Sequence, residues 1–276
     1  LYFVNYLVIL TNYSIFGKNN FWKMNNEITI KDFLLSKPVL TTKEIATFMR
    51  SADSNISDPM VNWKIHSLHK RGYIQKLGRG FYTTIKKHQF YPELYDLIPK
   101  IARFLNKELP ELNYIIWDTR ILSRMTIHQP ARFYILLETE KGEESSLYNY
   151  LRDNFQNVFL KPDNLTFDLY ISDKTDPIII TPMISQSPTL INEGICSPAL
   201  EKILVDIFVD ESIFTTFQGA ELSTIYNNAF ETYNVNMSGM LRYAGRRGSR
   251  SELIEFLNGL ETDSEEFHMR LKALPI

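Results

Sequence analysis

Cysteine is almost absent from this sequence, because Cys196 is the only one among 276 residues. A single cysteine excludes an internal disulfide framework and is compatible with a reducing cytosol. No histidine stands close to Cys196 in the sequence, so no cysteine–histidine pair for nucleophilic catalysis is evident. We therefore expect a cytoplasmic protein.

A membrane-spanning segment and a signal peptide are likewise not predicted. The apolar stretch LYFVNYLVIL, residues 1–10, is too short to cross a membrane, and no positive residue precedes it. The chain begins with Leu1, whereas Met24 stands directly before the first helical pattern. We expect residues 1–24 to be an N-terminal extension of the first domain, and residues 1–23 to precede a native translation start at Met24.

Motifs for cofactor binding and catalysis are lacking too. The sequence has no phosphate-binding loop of the Walker type, and Gly78 and Gly80 belong to a hairpin pattern rather than to GxGxxG. His66 and His69 have the spacing of two metal ligands on one helix face, but no third ligand stands nearby. The sequence thus predicts no cofactor, no metal site and no enzymatic activity.

The sequence does contain one basic segment. The whole chain is nearly neutral, with 30 Lys and Arg against 32 Asp and Glu. Residues 41–87 hold nine of these cations and three of the acids, a net charge of +6, and the rest of the chain carries −8. Such a concentration of positive charge favours contact with a polyanion such as DNA. The abundance of Asn, Ile, Lys, Phe and Tyr is typical of AT-rich coding sequence and indicates a bacterial origin.

Apolar spacing within that segment predicts two helices separated by a polar turn. The first opens near Thr42 and carries a core-facing stripe of Ile45, Phe48 and Met49. The polar stretch SADSNIS breaks this pattern. A second helix follows, with Ser57 as its N-cap and Pro59 at its first helical position.

The second helix has distinct inner and outer sides. Val61, Ile65 and Leu68 fall on one narrow face at about 100° per residue. Gly72 ends the helix, and YIQKLGRGFYTT then alternates apolar and polar residues, which predicts a hairpin with Arg79 at its tip. The side chains expected on the outer side are Trp63, His66, Ser67 and Lys70.

Helix, turn, helix and basic hairpin together predict a winged helix-turn-helix domain over residues 25–87, completed by a first helix from Ile28. Such a domain places its second helix in the major groove of double-stranded DNA. A protein-interaction module that never touches DNA is the alternative, and Trp63 by itself is more often packed than exposed. The predicted DNA-binding residues are Trp63, Lys64, His66, Ser67, Lys70, Arg71, Lys76 and Arg79.

The remaining sequence predicts an α+β protein overall. A helical connector is expected over residues 88–112, with Pro99 imposing a kink or dividing it into two short helices. Residues 113–276 are expected to form an α/β domain with a β-rich sheet. Its predicted strands are NYIIWDTRI, ARFYILLE, NVFL, TFDLYIS and PIIITPMI, with SSLYNYLRDNF as a helix between them. C-terminal helices in ALEKILVDIF, ELSTIYNNAFETY and SELIEFLNGL are expected to cover the sheet.

An enzymatic alternative rests on charged residues of the second domain. Asp118, Glu138 and Glu140, together with Lys141, resemble the carboxylates and lysine of a magnesium-dependent nuclease. The spacing fits poorly, because Glu140 and Lys141 are adjacent and so point to opposite sides of a strand. The alternative function is therefore a nuclease or nucleotidyl-transfer enzyme that the basic domain guides to nucleic acid.

The stretch SGMLRYAGRRGSR holds four arginines and no acid. Arginine makes planar bidentate contacts with carboxylates and phosphates, so this stretch is a candidate surface for an acidic protein or for DNA. A solvated loop in which one arginine pairs with Asp206 or Glu221 is the alternative. The predicted partner-binding residues are Arg242, Arg246 and Arg247.

Two stretches resemble a known family. NWKIHSLHKRGYIQKLGRGFYTT is similar to the winged-helix module of the AbiEi-type abortive-infection antitoxins and related bacterial regulators. PALEKILVDIF, followed by FQGAELSTIYNNAFETYNVNMSGMLRYAGRRG, is similar to their C-terminal domain. The resemblance spans most of residues 28–257, whereas the long polar turn SADSNISDP and the N-terminal extension depart from the family's pattern.

This resemblance implies a transcriptional regulator that represses its own operon by binding operator DNA. It also implies the antitoxin of a type IV toxin–antitoxin system, acting in phage defence, which neutralises a cognate nucleotidyltransferase toxin. In that case Arg242, Arg246 and Arg247 would face the toxin or DNA.

Overall fold

The structure is a computed structural model. It describes residues 30–78, 80–130, 132–163, 166–171 and 173–272. The described part is a mixed α+β structure with small sheets and C-terminal helices, so the predicted fold class is confirmed at that level. The chain divides into two compact units, unit 1 over residues 1–86 and unit 2 over residues 87–276. The predicted extension over residues 1–24 lies outside the described residues.

The described residues of unit 1 form three helices and a small sheet with strand order β1-β3-β2, in which both pairs are antiparallel. A capping box starts its second helix, because the Thr41 hydroxyl accepts from the Glu44 N–H at 3.1 Å and the Glu44 carboxylate accepts from the Thr41 N–H at 2.8 Å. The elements are α1 (Ile30–Leu35), β1 (Leu40–Thr41), α2 (Thr42–Ala52), α3 (Asp58–Lys70), β2 (Gln75–Gly78) and β3 (Phe81–Thr83).

The apolar side chains of these elements meet in one core. As predicted, α1 packs against α2, because the rings of Phe33 and Phe48 stack with centroids 4.0 Å apart and Leu34 is buried. The buried residues of this core are Leu34, Leu40, Ile45, Ala46, Met49, Ile56, Val61, Ile65, Leu68 and Ile74.

Unit 2 is built on a four-stranded sheet with strand order β4-β5-β7-β6. Strands β5, β6 and β7 run parallel, and β4 is an antiparallel edge strand. Its strands are β4 (Tyr114–Asp118), β5 (Ile135–Thr139), β6 (Val158–Leu160), β7 (Ile178–Pro182), β8 (Thr189–Asn192) and β9 (Ile195–Pro198). Its helices are α4 (Leu97–Glu108), α5 (Glu144–Arg152), α6 (Leu200–Val209), α7 (Ala220–Thr232), α8 (Met237–Arg246), α9 (Arg250–Asn258) and α10 (Glu265–Lys272).

Helices cover both faces of this sheet, since successive side chains of a strand point to opposite sides. Ile116, Leu137 and Ile180 lie in one apolar cluster with residues of α4 and α5. Trp117 and Leu136 lie in the other cluster with residues of α6 to α10. The expected C-terminal helical layer is present, and α4 and α5 form a layer on the opposite face.

One predicted strand is wrong. The segment TFDLYIS forms a short π-helical segment, Phe167–Ile171, instead of a strand. Leu169 and Tyr170 are both exposed while Ile171 is buried, whereas a strand would place Leu169 and Ile171 on the same face. Apolar content alone does not distinguish a strand from a helical turn of this length.

The kink expected at Pro99 is absent. Helix α4 begins only at Leu97, so Pro99 lies in its first turn, where a backbone N–H has no partner within the helix. The rest of α4 packs in the core of unit 2 through Ile98, Ile101 and Leu105, all fully buried. The segment expected as a connector therefore contains a core helix of unit 2.

Several elements were not predicted. Strands β8 and β9 form a hairpin whose turn residues Glu193 and Gly194 have φ of 50° and 79°, as in a two-residue hairpin turn. Most of the arginine-rich stretch forms helix α8 and not a solvated loop, whereas the pairing of one arginine with Asp206, part of the same alternative, is confirmed. Helix α10 follows near the end of the described residues. Across the described part of the chain, every helix is too short or too polar to span a bilayer.

Candidate functional site

The start and end of α3 are fixed by local sequence. Ser57 has extended N-cap geometry but makes no side-chain capping bond, and Pro59 lies in the first turn. At the other end Gly72 adopts a φ of 73°, and the Tyr73 N–H donates to the Leu68 carbonyl at 3.0 Å. This bond, together with the left-handed glycine, is a Schellman closure that ends the helix sharply.

The rotation of α3 about its axis is fixed by three buried side chains. Val61, Ile65 and Leu68 are each no more than 3% exposed and belong to the core of unit 1. They leave the opposite side of the helix turned away from the core, as the sequence predicts. We call this side, formed by Trp63, His66, Ser67 and Lys70, the α3 outer face.

Most of the α3 outer face is accessible to solvent. Trp63 is 58% exposed, His66 and Lys70 are also exposed, and Ser67 is partly buried. The alternative that Trp63 is packed is therefore wrong for unit 1. An exposed tryptophan is uncommon, because burying so large a ring stabilises a fold by several kcal/mol, on the order of 3 to 5 by truncation.

Three further predicted DNA-binding residues lie on α3, at its C-terminal end and on the next strand. Lys64 is partly buried on α3, Arg71 is exposed directly after its last residue, and Lys76 is exposed on β2. Arg79 lies outside the described residues. Thus six of the eight predicted DNA-binding residues lie on α3 or at its C-cap, and one lies on the following hairpin.

The hairpin is tied to the start of α2. The Thr42 N–H donates to the Gly80 carbonyl at 2.8 Å, and the Thr42 hydroxyl donates to the same oxygen at 3.2 Å. Gly80 has a φ of 83°, which residues other than glycine rarely adopt. A side chain at this position would therefore strain the turn and disturb the attachment of the hairpin.

The cations of unit 1 fall into two groups. Lys37 pairs with Glu44 at 2.7 Å, and Arg50 pairs with Asp58. Lys70, Arg71 and Lys76, in contrast, are exposed and none of them pairs with an acid in the described part of the chain. These three exposed cations lie at the end of α3 and on β2, and Lys43 on α2 and Lys86 after β3 are exposed as well.

A metal site on α3 receives no support from the geometry. His66 and His69 are both exposed. No group of three or more His, Cys, Asp or Glu side chains suited to a metal ion occurs among the described residues. Two imidazoles alone do not complete the usual coordination shell of a protein-bound zinc.

Unit 2 contains a second concentration of charge, which is buried. Lys202 on α6 is 1% exposed, and its Nζ lies 2.7 Å from Glu138 and in contact with Asp206. Arg247, directly after α8, donates to Asp206 at 3.0 Å and to Asp210 at 2.6 Å. We call these five residues the ionic cluster, and the Tyr243 hydroxyl adds a bond to Asp206 at 2.9 Å.

Burial and pairing act in opposite directions on the cations of this cluster. Burial lowers the pKa of Lys202, but the Asp206 and Glu138 carboxylates outweigh it and raise that pKa above its ordinary value. Burial likewise lowers the pKa of Arg247, and Asp206 and Asp210 raise it beyond the ordinary value. Both cations therefore remain charged at neutral pH, and neither is suited to donate or accept a proton there.

Of the three arginines predicted to bind a partner, one belongs to the ionic cluster and two do not. Arg247 has a side chain only 13% exposed, and its donors are directed to Asp206 and Asp210. Arg242 and Arg246 are exposed and lie one helical turn apart on α8, where Arg246 also donates to the Ser185 hydroxyl. The pairing of one arginine with Asp206 was anticipated from the sequence, whereas the participation of Lys202 and Glu138 was not.

The carboxylates of the nuclease alternative are not brought together. The Asp118 carboxylate accepts hydrogen bonds from the Arg120 Nε at 2.9 and 3.0 Å. Asp118 lies on the same sheet face as Ile116, whereas Glu138 lies on the opposite face. Glu138 is held by Lys202, and Glu140 accepts from Asn113 at 2.6 Å. Each of these carboxylates thus has its own partner, and they do not converge on one position.

Comparison with known proteins identifies the family of this chain. None of the curated proteins compared with the chain matches it. A family described as "Family of unknown function (DUF6577)" matches residues 60–263, which run from the first turn of α3 through the hairpin and most of unit 2. Because this match covers 204 of the 276 residues, the chain belongs to that family.

Proposed function

We propose that this protein is a DNA-binding transcriptional regulator and that unit 1 is a winged helix-turn-helix. The order of elements supports this: a helix, a short strand, two helices and a two-stranded hairpin, with the short strand paired to the hairpin. In this arrangement α3 is the recognition helix and the hairpin is the wing. The α3 outer face is the observation that carries the proposal, because most of it is exposed and it is followed by exposed cations that pair with no acid among the described residues.

The roles of individual residues follow from what DNA presents. Phosphates are bound by positive side chains, and we assign that role to Lys70, Arg71 and Lys76. Base edges are read by side chains on the exposed side of the recognition helix, and Trp63, His66 and Ser67 occupy that side. Lys64 and Arg79 complete the proposed interface.

The test is a titration of the full chain with a duplex taken from the DNA upstream of its own gene. The double variant Lys70→Ala/Arg71→Ala removes two exposed cations. We expect weaker binding to every duplex, because phosphate contacts do not depend on sequence. The slope of log K against log salt should fall in magnitude by about two, since each phosphate contact contributes about 0.9.

A matched control separates a local effect from a general effect of charge. The variant Lys100→Ala/Arg103→Ala also loses one lysine and one arginine, both exposed on α4 of unit 2. It should keep the wild-type affinity and salt slope. The proposal fails if the wild-type chain has no salt-dependent affinity for DNA, or if the two double variants bind alike.

We further propose that the chain is the antitoxin of a toxin–antitoxin pair. This proposal rests on the resemblance to the AbiEi-type antitoxins and on Arg242 and Arg246, which remain exposed on α8 after Arg247 is engaged internally. Two guanidinium groups one turn apart suit an acidic protein surface. The expected partner is a nucleotidyltransferase toxin encoded next to this gene.

Co-expression with the product of the adjacent gene tests the antitoxin proposal. If that product arrests bacterial growth, the wild-type chain should restore growth, and Arg242→Ala/Arg246→Ala should restore it less well at equal protein level. The Lys100→Ala/Arg103→Ala variant again serves as the control for charge. Arrest that the wild-type chain does not relieve, or full relief by the α8 variant, would contradict the assignment of these two arginines to the toxin surface.

A further inference from the structure

Two large apolar side chains are exposed next to each other on the N-terminal half of α3. Met60 is 46% exposed and Trp63 is 58% exposed, and neither belongs to the core of unit 1. Residues three apart on a helix are neighbours on its surface, so these two form one apolar patch. This Met60–Trp63 patch contributes nothing evident to the stability of unit 1.

The surroundings of this patch indicate which partner it meets. Lys70 and Arg71 are exposed at the end of the same helix, and Lys76 is exposed on the strand that follows. An apolar patch on a helix that ends in two exposed cations complements a polyanion better than it complements an apolar protein groove. The patch also lies in the part of a recognition helix that approaches base edges most closely.

The major groove offers few apolar groups to such a patch. Its edges carry hydrogen-bond donors and acceptors for every base pair, and the C5-methyl group of thymine is the apolar feature. Thymine is therefore the base whose edge suits two apolar side chains.

We propose that Met60 and Trp63 read thymine methyl groups, so that the preferred DNA of this protein carries thymine opposite the N-terminal half of α3. This inference rests on the proposed DNA-binding function and adds the base that the helix selects. In this arrangement Trp63 contributes specificity, whereas Lys70 and Arg71 contribute affinity that is independent of sequence.

Replacing thymine with deoxyuridine tests the proposal, because it removes the methyl group and keeps charge and base pairing unchanged. The wild-type chain should bind the deoxyuridine form of its upstream duplex about 10-fold more weakly, the scale expected for burying two methyl groups. The variant Met60→Ala/Trp63→Ala should bind the thymine and deoxyuridine forms equally. Its salt slope should equal that of the wild type, because no charge is lost.

Two controls keep the outcomes distinct. Thermal unfolding of Met60→Ala/Trp63→Ala should match the wild type, since both side chains are exposed. Met60→Leu should retain the preference for thymine, because its side chain is also apolar and of similar volume.

The outcomes separate the two proposals. Salt-dependent binding that does not distinguish thymine from deoxyuridine overturns methyl recognition but leaves the DNA-binding function intact. Absence of DNA binding overturns both. A thymine preference that persists in Met60→Ala/Trp63→Ala shows that another part of the chain reads the methyl groups, and it also overturns the inference.

Discussion

The α3 outer face and the ionic cluster both contain cations, but those of the first are exposed and those of the second are buried and paired with carboxylates. Lys70 stands exposed at the end of α3, whereas Lys202 is 1% exposed on α6 with two carboxylates in contact. A buried charge must be paired to offset the cost of leaving water, while an exposed charge has no such requirement. The charge of Lys202 is therefore committed to the fold, and that of Lys70 is available to a partner.

This contrast also explains why the arginines of one stretch are not equivalent. Arg246 and Arg247 are adjacent, but the first ends α8 with its side chain exposed and the second follows the helix and points to Asp206 and Asp210. A difference of one position on a helix rotates a side chain by about 100°. Charge density in a sequence therefore locates a region, and burial decides which of its residues can bind a partner.

The largest effect is expected from removing the buried lysine. Lys202→Ala leaves the buried Glu138 without its cation and Asp206 with Arg247 alone, so we expect a loss of about 3 to 5 kcal/mol in the free energy of unfolding. Lys70→Ala on the α3 outer face should change that free energy by less than about 0.5 kcal/mol. Urea unfolding followed by circular dichroism measures both. Equal effects of the two substitutions would remove the distinction between the two regions.

The adjacent arginines give a smaller and sharper comparison. Arg247→Ala removes two charge-assisted hydrogen bonds from the ionic cluster and should cost about 2 kcal/mol of unfolding free energy. Arg246→Ala should cost less than about 0.5 kcal/mol, because its side chain is exposed. The same denaturation experiment decides the matter. If Arg246→Ala proves the more destabilising of the two, then the burial of Arg247 does not measure its contribution.

Local patterns made part of this structure predictable. The spacing of Val61, Ile65 and Leu68 fixed the buried side of α3, and Gly72 gave its end, because both signals depend only on neighbouring residues. Gly194 is the local signal for the turn of the β8–β9 hairpin, but the strands beside it were not predicted.

Long-range pairing was not predictable in the same way. The i,i+4 spacing of Lys202 and Asp206 on an apolar helix was a visible signal of a buried pair. The participation of Glu138, however, depends on how α6 packs against the sheet, which no local pattern specifies. The segment Phe167–Ile171 illustrates the same limit. Its apolar residues are compatible with a strand in the sequence, and only the structure shows that Ile171 is buried while Leu169 and Tyr170 are exposed.

The smallest effect is expected at the capping box of α2, because the Glu44 side chain is only partly buried. Lys37, then the Thr41 N–H, lowers the pKa of Glu44 to about 2 from 4.5. A lowered folded-state pKa stabilises the fold at pH values above 4.5, and this stabilisation is lost as the pH falls from 4.5 towards 2. About a third of the side chain is exposed, so solvent screens the pair and we expect a contribution of about 1 kcal/mol.

Glu44→Gln isolates this contribution, because glutamine keeps the size of the side chain and cannot ionise. The variant should be less stable than the wild type at pH 7, and the difference should shrink as the pH falls from 4.5 towards 2, where about half of the folded wild-type carboxylate is protonated. Urea unfolding at several pH values measures the difference. A gap that stays constant across this range would mean that the hydrogen bonds of the capping box, and not the charge of Glu44, stabilise the start of α2. In that case an ion pair at the surface of unit 1 adds little, and the contrast with the buried pairs of the ionic cluster becomes wider.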